Sequence, residues 1–178
     1  MQTAIIGAGT IIFQDEGIGV YAQKYIEENY SFQSDVTIVD GGVLGFKLMT
    51  YYQSYDRVLI LDTITMNDKA GSIYNLPASQ LIGLGSYKQT AHEVEIVEML
   101  EICSLLEKMA DINIIGIVPY DIQSVNIGLS EDMKTLFYDF VDVVMKQLQK
   151  DGIKFSKNNK HISLDEIILN YKNPSNSR

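Results

Sequence analysis

The chain has 178 residues, 46% hydrophobic and 10% aromatic, with 14 Lys/Arg against 23 Asp/Glu for a formal net charge of −9. That length suits one domain around a single core, the apolar content excludes global disorder, and the acidic balance excludes a general nucleic-acid binder, which needs a basic footprint for phosphates. No apolar run approaches the ~20 residues of a membrane span, and no basic N-terminal region leads into a long apolar one; with a single cysteine, Cys103, there is no internal disulfide, so a soluble, cytoplasmic protein is expected.

Residues 3–6 read as a short apolar strand that breaks into the turn Gly7-Ala8-Gly9, crosses an apolar bridge to Asp15-Glu16-Gly17, and enters a helix. A strand, a glycine turn and a helix make the first half of a βαβ unit, whose ligand sits beyond the carboxyl ends of the strands. Glu16 is therefore placed near that crevice, and Asp15 reads as the helix N-cap. A dinucleotide fingerprint would need glycine at position 12, where the chain has Ile12. Residues 18–30 read as a helix with Tyr21, Tyr25 and Ile26 inward. Residues 36–39 form a β-branched strand ending in Asp40-Gly41-Gly42, residues 46–52 a brief helix, and residues 57–61 a third strand ending in Asp62. The cluster Tyr51, Tyr52 and Tyr55 reads as packing. Continuous apolar strands separated by helices indicate a parallel sheet covered on both faces. Residues 71–76, stopped by Pro77, are expected to add an antiparallel edge strand.

Thr90-Ala91-His92-Glu93 has the pattern of a capping box, and the helix it opens carries Ile96, Val97, Leu100, Cys103 and Leu106 on one face, so Cys103 reads as core rather than nucleophile. Residues 112–118 form another buried strand, stopped by Pro119. Ser130 caps a helix with Glu131 and Asp132 in its first turn and Met133, Leu136, Phe137, Phe140, Val141, Val144 and Leu148 on its buried face, before Gly152. Residues 1–150 hold 9 Lys/Arg against 20 Asp/Glu, whereas residues 151–178 hold 5 against 3. The expected architecture is a single-domain three-layer α/β/α fold with a twisted, mainly parallel sheet of about five strands and one antiparallel edge strand. Residues 1–152 form the α/β domain and residues 153–178 a polar, basic C-terminal extension, loosely attached, with an amphipathic piece at 162–169.

In a parallel sheet, Glu16 past the first strand, Asp62 at the end of the third, and His92 in the first turn of a capped helix can converge at one edge. A helix N-terminus disfavours imidazolium, so His92 stays neutral and able to ligate. Two carboxylates and an imidazole suit a divalent transition metal better than calcium or magnesium. The plainer readings are that acidic residues end strands and a lone histidine starts a helix. Asp40 reads equally as a turn former before two glycines or as a catalytic group, and His161 as a solvated residue of the tail.

The run from Gly7 through Gly9, Asp15, Glu16 and Gly17 to Gly19 resembles the N-terminal signature of the hydrogenase maturation proteases, endopeptidases that trim the large subunit of nickel-iron hydrogenases. Further blocks match in family order: Asp40-Gly41-Gly42, the strand ending in Asp62, His92, then Gly116-Ile117-Val118-Pro119 and Ile127-Gly128-Leu129-Ser130, together spanning residues 3–150. The resemblance implies that Glu16, Asp62 and His92 bind nickel, that Asp40 is a candidate for cleavage, and that the nickel arrives in the substrate, the large-subunit precursor. Binding it would place the C-terminal peptide bond in the cleft, with metal-polarised water attacking and Asp40 or a site carboxylate as general base. No Ser-His-Asp or Cys-His pairing is readable. A monomer is expected. The chain departs from the family pattern with Thr10 in place of Asn after G-x-G and Val43 in place of Thr or Ser after D-G-G. Two other functions compete: a receiver-like signalling domain, which would need Lys where Val118 stands, and a non-catalytic nickel escort using the same three ligands.

Overall fold

The computed structural model describes residues 1–43, 45–80, 98, 101–102, 105 and 109–174. The expected helix opened by Thr90, with Cys103 on its inner face, lies outside the described residues. In chain order the elements are β1 (Thr3–Ala8), a 3-10 turn (Gln14–Gly17), α1 (Ile18–Asn29), β2 (Tyr30–Phe32), β3 (Val36–Gly42), α2 (Met49–Ser54), β4 (Arg57–Thr63), β5 (Ile73–Pro77), β6 (Asp111–Ile117), α3 (Glu131–Lys150), β7 (Phe155–Lys157) and α4 (Leu164–Lys172).

Five strands form one sheet in the order β3-β1-β4-β6-β5. β1, β3, β4 and β6 are mutually parallel, and β5 runs antiparallel to β6 with Asn75 opposite Ile115, the edge placement that Pro77 at its end permits. Alternate residues of the strands serve different faces. Ile5, Leu59, Leu61, Ile115 and Ile117 point to the face covered by α1, α3 and α4, where Tyr21, Phe137 and Phe140 are fully buried. Ala4, Ile6, Val58, Ile60, Ile112 and Ile114 point to the other, with Leu48 and Tyr52. Both faces are covered, so the strands need no polar alternation; each large side chain buried in these layers contributes roughly 1.5–3 kcal/mol. At the amino edge Arg57, itself buried, joins β4 to the C-cap of α3 through Asp151 at 2.8 Å.

Helix α1 lies close on the sheet because of glycine: a Cβ on Gly19 would stand 2.0 Å from the Leu61 carbonyl oxygen and 2.4 Å from that of Ala8. Its end falls one residue earlier than expected, since Tyr30 enters β2, which pairs antiparallel with β7 as Tyr30↔Lys157 and Phe32↔Phe155. That pairing corrects the reading of a loosely attached tail. Ile153, Leu164, Ile167 and Ile168 join the same buried cluster as α1 and α3. Ser163 and Glu166 form a capping box for α4, and Asn29 bonds the backbone of Ile162 in both directions, at 2.9 and 2.8 Å. His161, expected to be solvated, is exposed but meets the Tyr25 hydroxyl at 3.0 Å. The tail is polar in composition, yet Leu164, Ile167 and Ile168 recur at helical spacing and face inward, while Leu169 stays exposed.

Candidate active site

The chain leaves β1 toward β3 on one side and then returns to β4 on the other, so the sheet reverses its winding direction between β1 and β4. Crevices for ligands open at such reversals, beyond the carboxyl ends. Here the turn after β1 and the end of β4 meet. Gly9 adopts φ +108°, and a Cβ on it would fall 1.9 Å from the Glu16 carbonyl oxygen and 3.5 Å from Asp62 Oδ1. Only glycine fits this conformation and this approach. The position thus brings the Glu16 backbone and the Asp62 carboxylate to either side of one residue. Asp62 is 2% exposed and accepts from the Thr63 N–H at 2.7 Å; Glu16 is half-buried. His92 lies outside the described residues. The structure therefore places two of the three expected ligands at one edge.

Asp15 is not the helix cap expected from sequence. The cap position of α1 is Gly17, which makes no side-chain cap bond, and Asp15 turns inward to full burial. Its Oδ1 accepts from the Ser130 N–H at 2.7 Å, and its Oδ2 accepts from the Asp121 N–H at 2.9 Å, the Tyr120 N–H at 3.2 Å and the Ser130 hydroxyl at 2.9 Å. Backbone bonds run alongside: Asp15 N–H to Asp121 O at 3.0 Å, Gln14 N–H to Asn126 O at 3.2 Å, and Asn126 N–H to Ile12 O at 2.9 Å. Residues 12–16 thus hang from the segment that follows β6. Gln14 takes φ +43°, a left-handed conformation unusual outside glycine, at the point where the chain turns Asp15 inward. Ser130 also caps α3 through Met133 N–H at 3.3 Å, so one carboxylate organises both the turn before Glu16 and the start of that helix.

Asp40 lies at the carboxyl end of β3. The β1–β3 register shifts here, Gly7 pairing with Asp40 but Ala8 with Gly42, so Asp40-Gly41-Gly42 is a β-bulge, a device that re-aims a side chain. Gly42 has φ +41°, and its carbonyl accepts from the Gly9 N–H at 3.0 Å, tying the bulge to the glycine turn. This extends β3 beyond its expected end at Val39. Although the Asp40 residue is exposed, crowding around its carboxyl pushes the group above the usual carboxylate range; the Gly42 N–H and the Tyr171 hydroxyl, both interacting with the ionised form, pull the other way. Glu27 and Lys24 of α1 act in opposite senses. Tyr171 of α4 is itself pushed up to about 12, first by burial and then by the Asp40 charge, and its ring meets that of Tyr21 edge-on at 5.6 Å. Sequence reasoning missed Tyr171. Its signal was the stripe Leu164, Ile167, Ile168, Tyr171 at helical spacing.

A pH experiment follows from this contact. A donor to the ionised carboxylate favours ionisation, so Tyr171→Phe should raise the Asp40 value further. If Asp40 is the base, the acid limb of kcat/KM against pH moves to higher pH in the variant, and rates well above that limb stay close to wild type. An acid limb that does not move would separate Asp40 from the step being measured.

A family model described as hydrogenase maturation protease matches residues 20–147. The chain belongs to the hydrogenase maturation protease family. The protease is 24% identical over 156 residues to the hydrogenase 2 maturation protease of Escherichia coli (strain K12), a match covering 86% of this chain and 94% of that one. It is 25% identical over 167 residues to the hydrogenase expression/formation protein HupD of Bradyrhizobium diazoefficiens, covering 93% and 87%. Its fold superposes on the hydrogenase maturating endopeptidase HybD from E. coli with a TM-score of 0.82 at 22% identity, over 89% of this chain and 98% of that one. The protease is accordingly an endopeptidase of hydrogenase maturation with an α/β fold. Among its described residues no helix is long and apolar enough to cross a membrane.

Proposed function

We propose that the protease removes a C-terminal peptide from the nickel-loaded precursor of a nickel-iron hydrogenase large subunit, as a cytoplasmic monomer, using the metal in the substrate as its recognition element. The observation that carries this reading is the meeting of Asp62 and the Glu16 turn across Gly9 at the winding reversal of the sheet. Two carboxylates there, with His92 as the third donor, offer oxygen and nitrogen ligands of the kind a divalent transition ion accepts. Nickel held by the precursor would serve as the handle by which the enzyme fixes the peptide chain, turning recognition into orientation.

Asp40, on its bulge beside the glycine turn, is the general base: it accepts a proton from the attacking water, and its raised value makes it a better acceptor near neutral pH than an ordinary aspartate. The test incubates the protein with nickel-loaded and nickel-free precursor and follows mass, with His92→Ala alongside. Loss of a C-terminal peptide from the loaded precursor only, and failure of the variant, supports the reading. Binding without a mass change would identify an escort protein instead, and equal cleavage of both precursors would remove nickel from the recognition step.

A further inference from the structure

Strand β3 stands at one end of the sheet, paired among the described residues with β1 alone. The Thr3 N–H bonds the Asp35 carbonyl at 3.0 Å, so the main-chain groups of Asp35, and with it Thr37 and Val39, turn toward β1. By the alternation of a strand, those of Val36 and Ile38 turn outward. The next residue in that outward set is Asp40, at the bulge beside the glycine turn. The open edge thus carries a row of N–H and C=O groups on every second residue, and the row runs into the site.

Sheet edges in soluble proteins are blunted by proline, by lysine, by shortness or by a bulge. The other edge strand, β5, ends on Pro77. β3 is seven residues long, and its stretch Val36-Thr37-Ile38-Val39 holds neither proline nor charge, with all four residues only half-buried. Another extended backbone satisfies such a row in register, which is how sheet edges take up peptides. The chain belongs to a family of endopeptidases, whose substrates are polypeptides, and this edge leads to Asp40.

We infer that the C-terminal peptide to be released binds as an added strand along the outer edge of β3, antiparallel to it. This rests on the proposed reading of the site and deepens it by naming which part of the substrate is held and by what. The sheet order sets the metal donors at the ends of β1 and β4, Asp40 on β3, and the open edge beyond it. The retained part of the substrate keeps the nickel, so its chain runs from the metal to the bond beside Asp40 and then onward. Entering at the carboxyl end of β3, the onward part travels against the direction of that strand. Pairing through the main chain gives affinity with little demand on the peptide's sequence, and it fixes the chain downstream of the cut while the metal fixes it upstream.

Hydrogen exchange read residue by residue on the full chain tests this. In the free enzyme the Val36 and Ile38 amides should exchange faster than those of Thr37 and Val39. Excess nickel-loaded precursor should slow Val36 and Ile38 by about tenfold or more, and the mature subunit, which lacks the peptide, should leave them unchanged. Ile38→Pro removes an outward N–H and spares the ladder to β1, a place where an edge strand tolerates proline. That variant should fold, by circular dichroism, and raise KM by about tenfold with kcat little changed, whereas Ile38→Ala, which keeps the N–H, should stay within about threefold of wild type. A folded Ile38→Pro enzyme with wild-type KM overturns the added strand. Protection of Val36 and Ile38 by the mature subunit does so too, as does their protection in the free enzyme at rising protein concentration, which would assign the edge to a second copy of the chain. Cleavage of the precursor without protection at these amides removes the inference and leaves the proposed function. Protection by the precursor without cleavage does the reverse, and a precursor that does not bind at all removes both.

Discussion

Asp62→Asn should abolish precursor cleavage, with kcat/KM falling by about 10³-fold or more. The side chain is almost wholly enclosed at the end of β4, beside Gly9 and the Glu16 turn, and the amide keeps an oxygen that can still accept the Thr63 N–H now bonded at 2.7 Å. The fold should therefore survive a change that removes only the negative charge. A donor that has lost its charge binds a divalent ion weakly, and the effect should appear equally in Glu16→Gln if the two carboxylates hold the same ion. The measurement is cleavage of nickel-loaded precursor followed by mass, alongside thermal unfolding of each variant. A folded Asp62→Asn enzyme within tenfold of wild type would remove Asp62 from the site.

Asp15→Asn should act mainly on stability, at a cost of about 3 kcal/mol, lowering Tm by roughly 10 °C for a chain of this size. The native carboxylate accepts four hydrogen bonds in a fully buried setting, two of its three backbone donors at Tyr120 and Asp121 converging with the Ser130 hydroxyl on Oδ2. An amide can accept through one end only; its NH2 would face groups that also donate. Those donors would then be buried without partners, the costliest arrangement for a polar group. Because Ser130 also caps α3, the loss should reach that helix, and hydrogen exchange should quicken at Met133 as well as at Tyr120 and Asp121. A variant as stable as wild type would mean that solvent reaches Asp15 in solution.

The sheet was legible because its signal is local and redundant. Apolar β-branched runs at 3–6, 57–61 and 112–118 could hardly be anything but buried strands, and Pro77 marked the edge. Ser130 was legible as a cap because its partner lies three residues away. Asp15 was not, since adjacency to a helix start suggests a cap, while its actual partners stand 105–115 residues later. The same limit hid the tail: three-residue strands such as β2 and β7 have no periodicity to read, and each exists only because the other pairs with it. At the site, the positions of Glu16 and Asp62 after the first and third strands were enough to expect them near one edge, and the Glu16 backbone and the Asp62 carboxylate do flank Gly9. Asp40 could be marked but not understood, because a bulge is a property of two strands in register rather than of one sequence.

The bonds from Asp15 to residues 120–130 also bear on when the enzyme becomes competent. They close a loop of more than a hundred residues, and α4, which carries Tyr171 to Asp40, comes later still. Contacts so distant in sequence form late, after the chain has met the entropy of closing that loop. On the ribosome, where synthesis runs from the N-terminus, the signature segment at 7–19 emerges first and must wait unsupported for its counterpart. A shortened chain lacking residues beyond 118 would carry Glu16, Asp40 and Asp62 and still have no formed site. An endopeptidase of hydrogenase maturation thus completes its own site only once nearly all of its chain has been made.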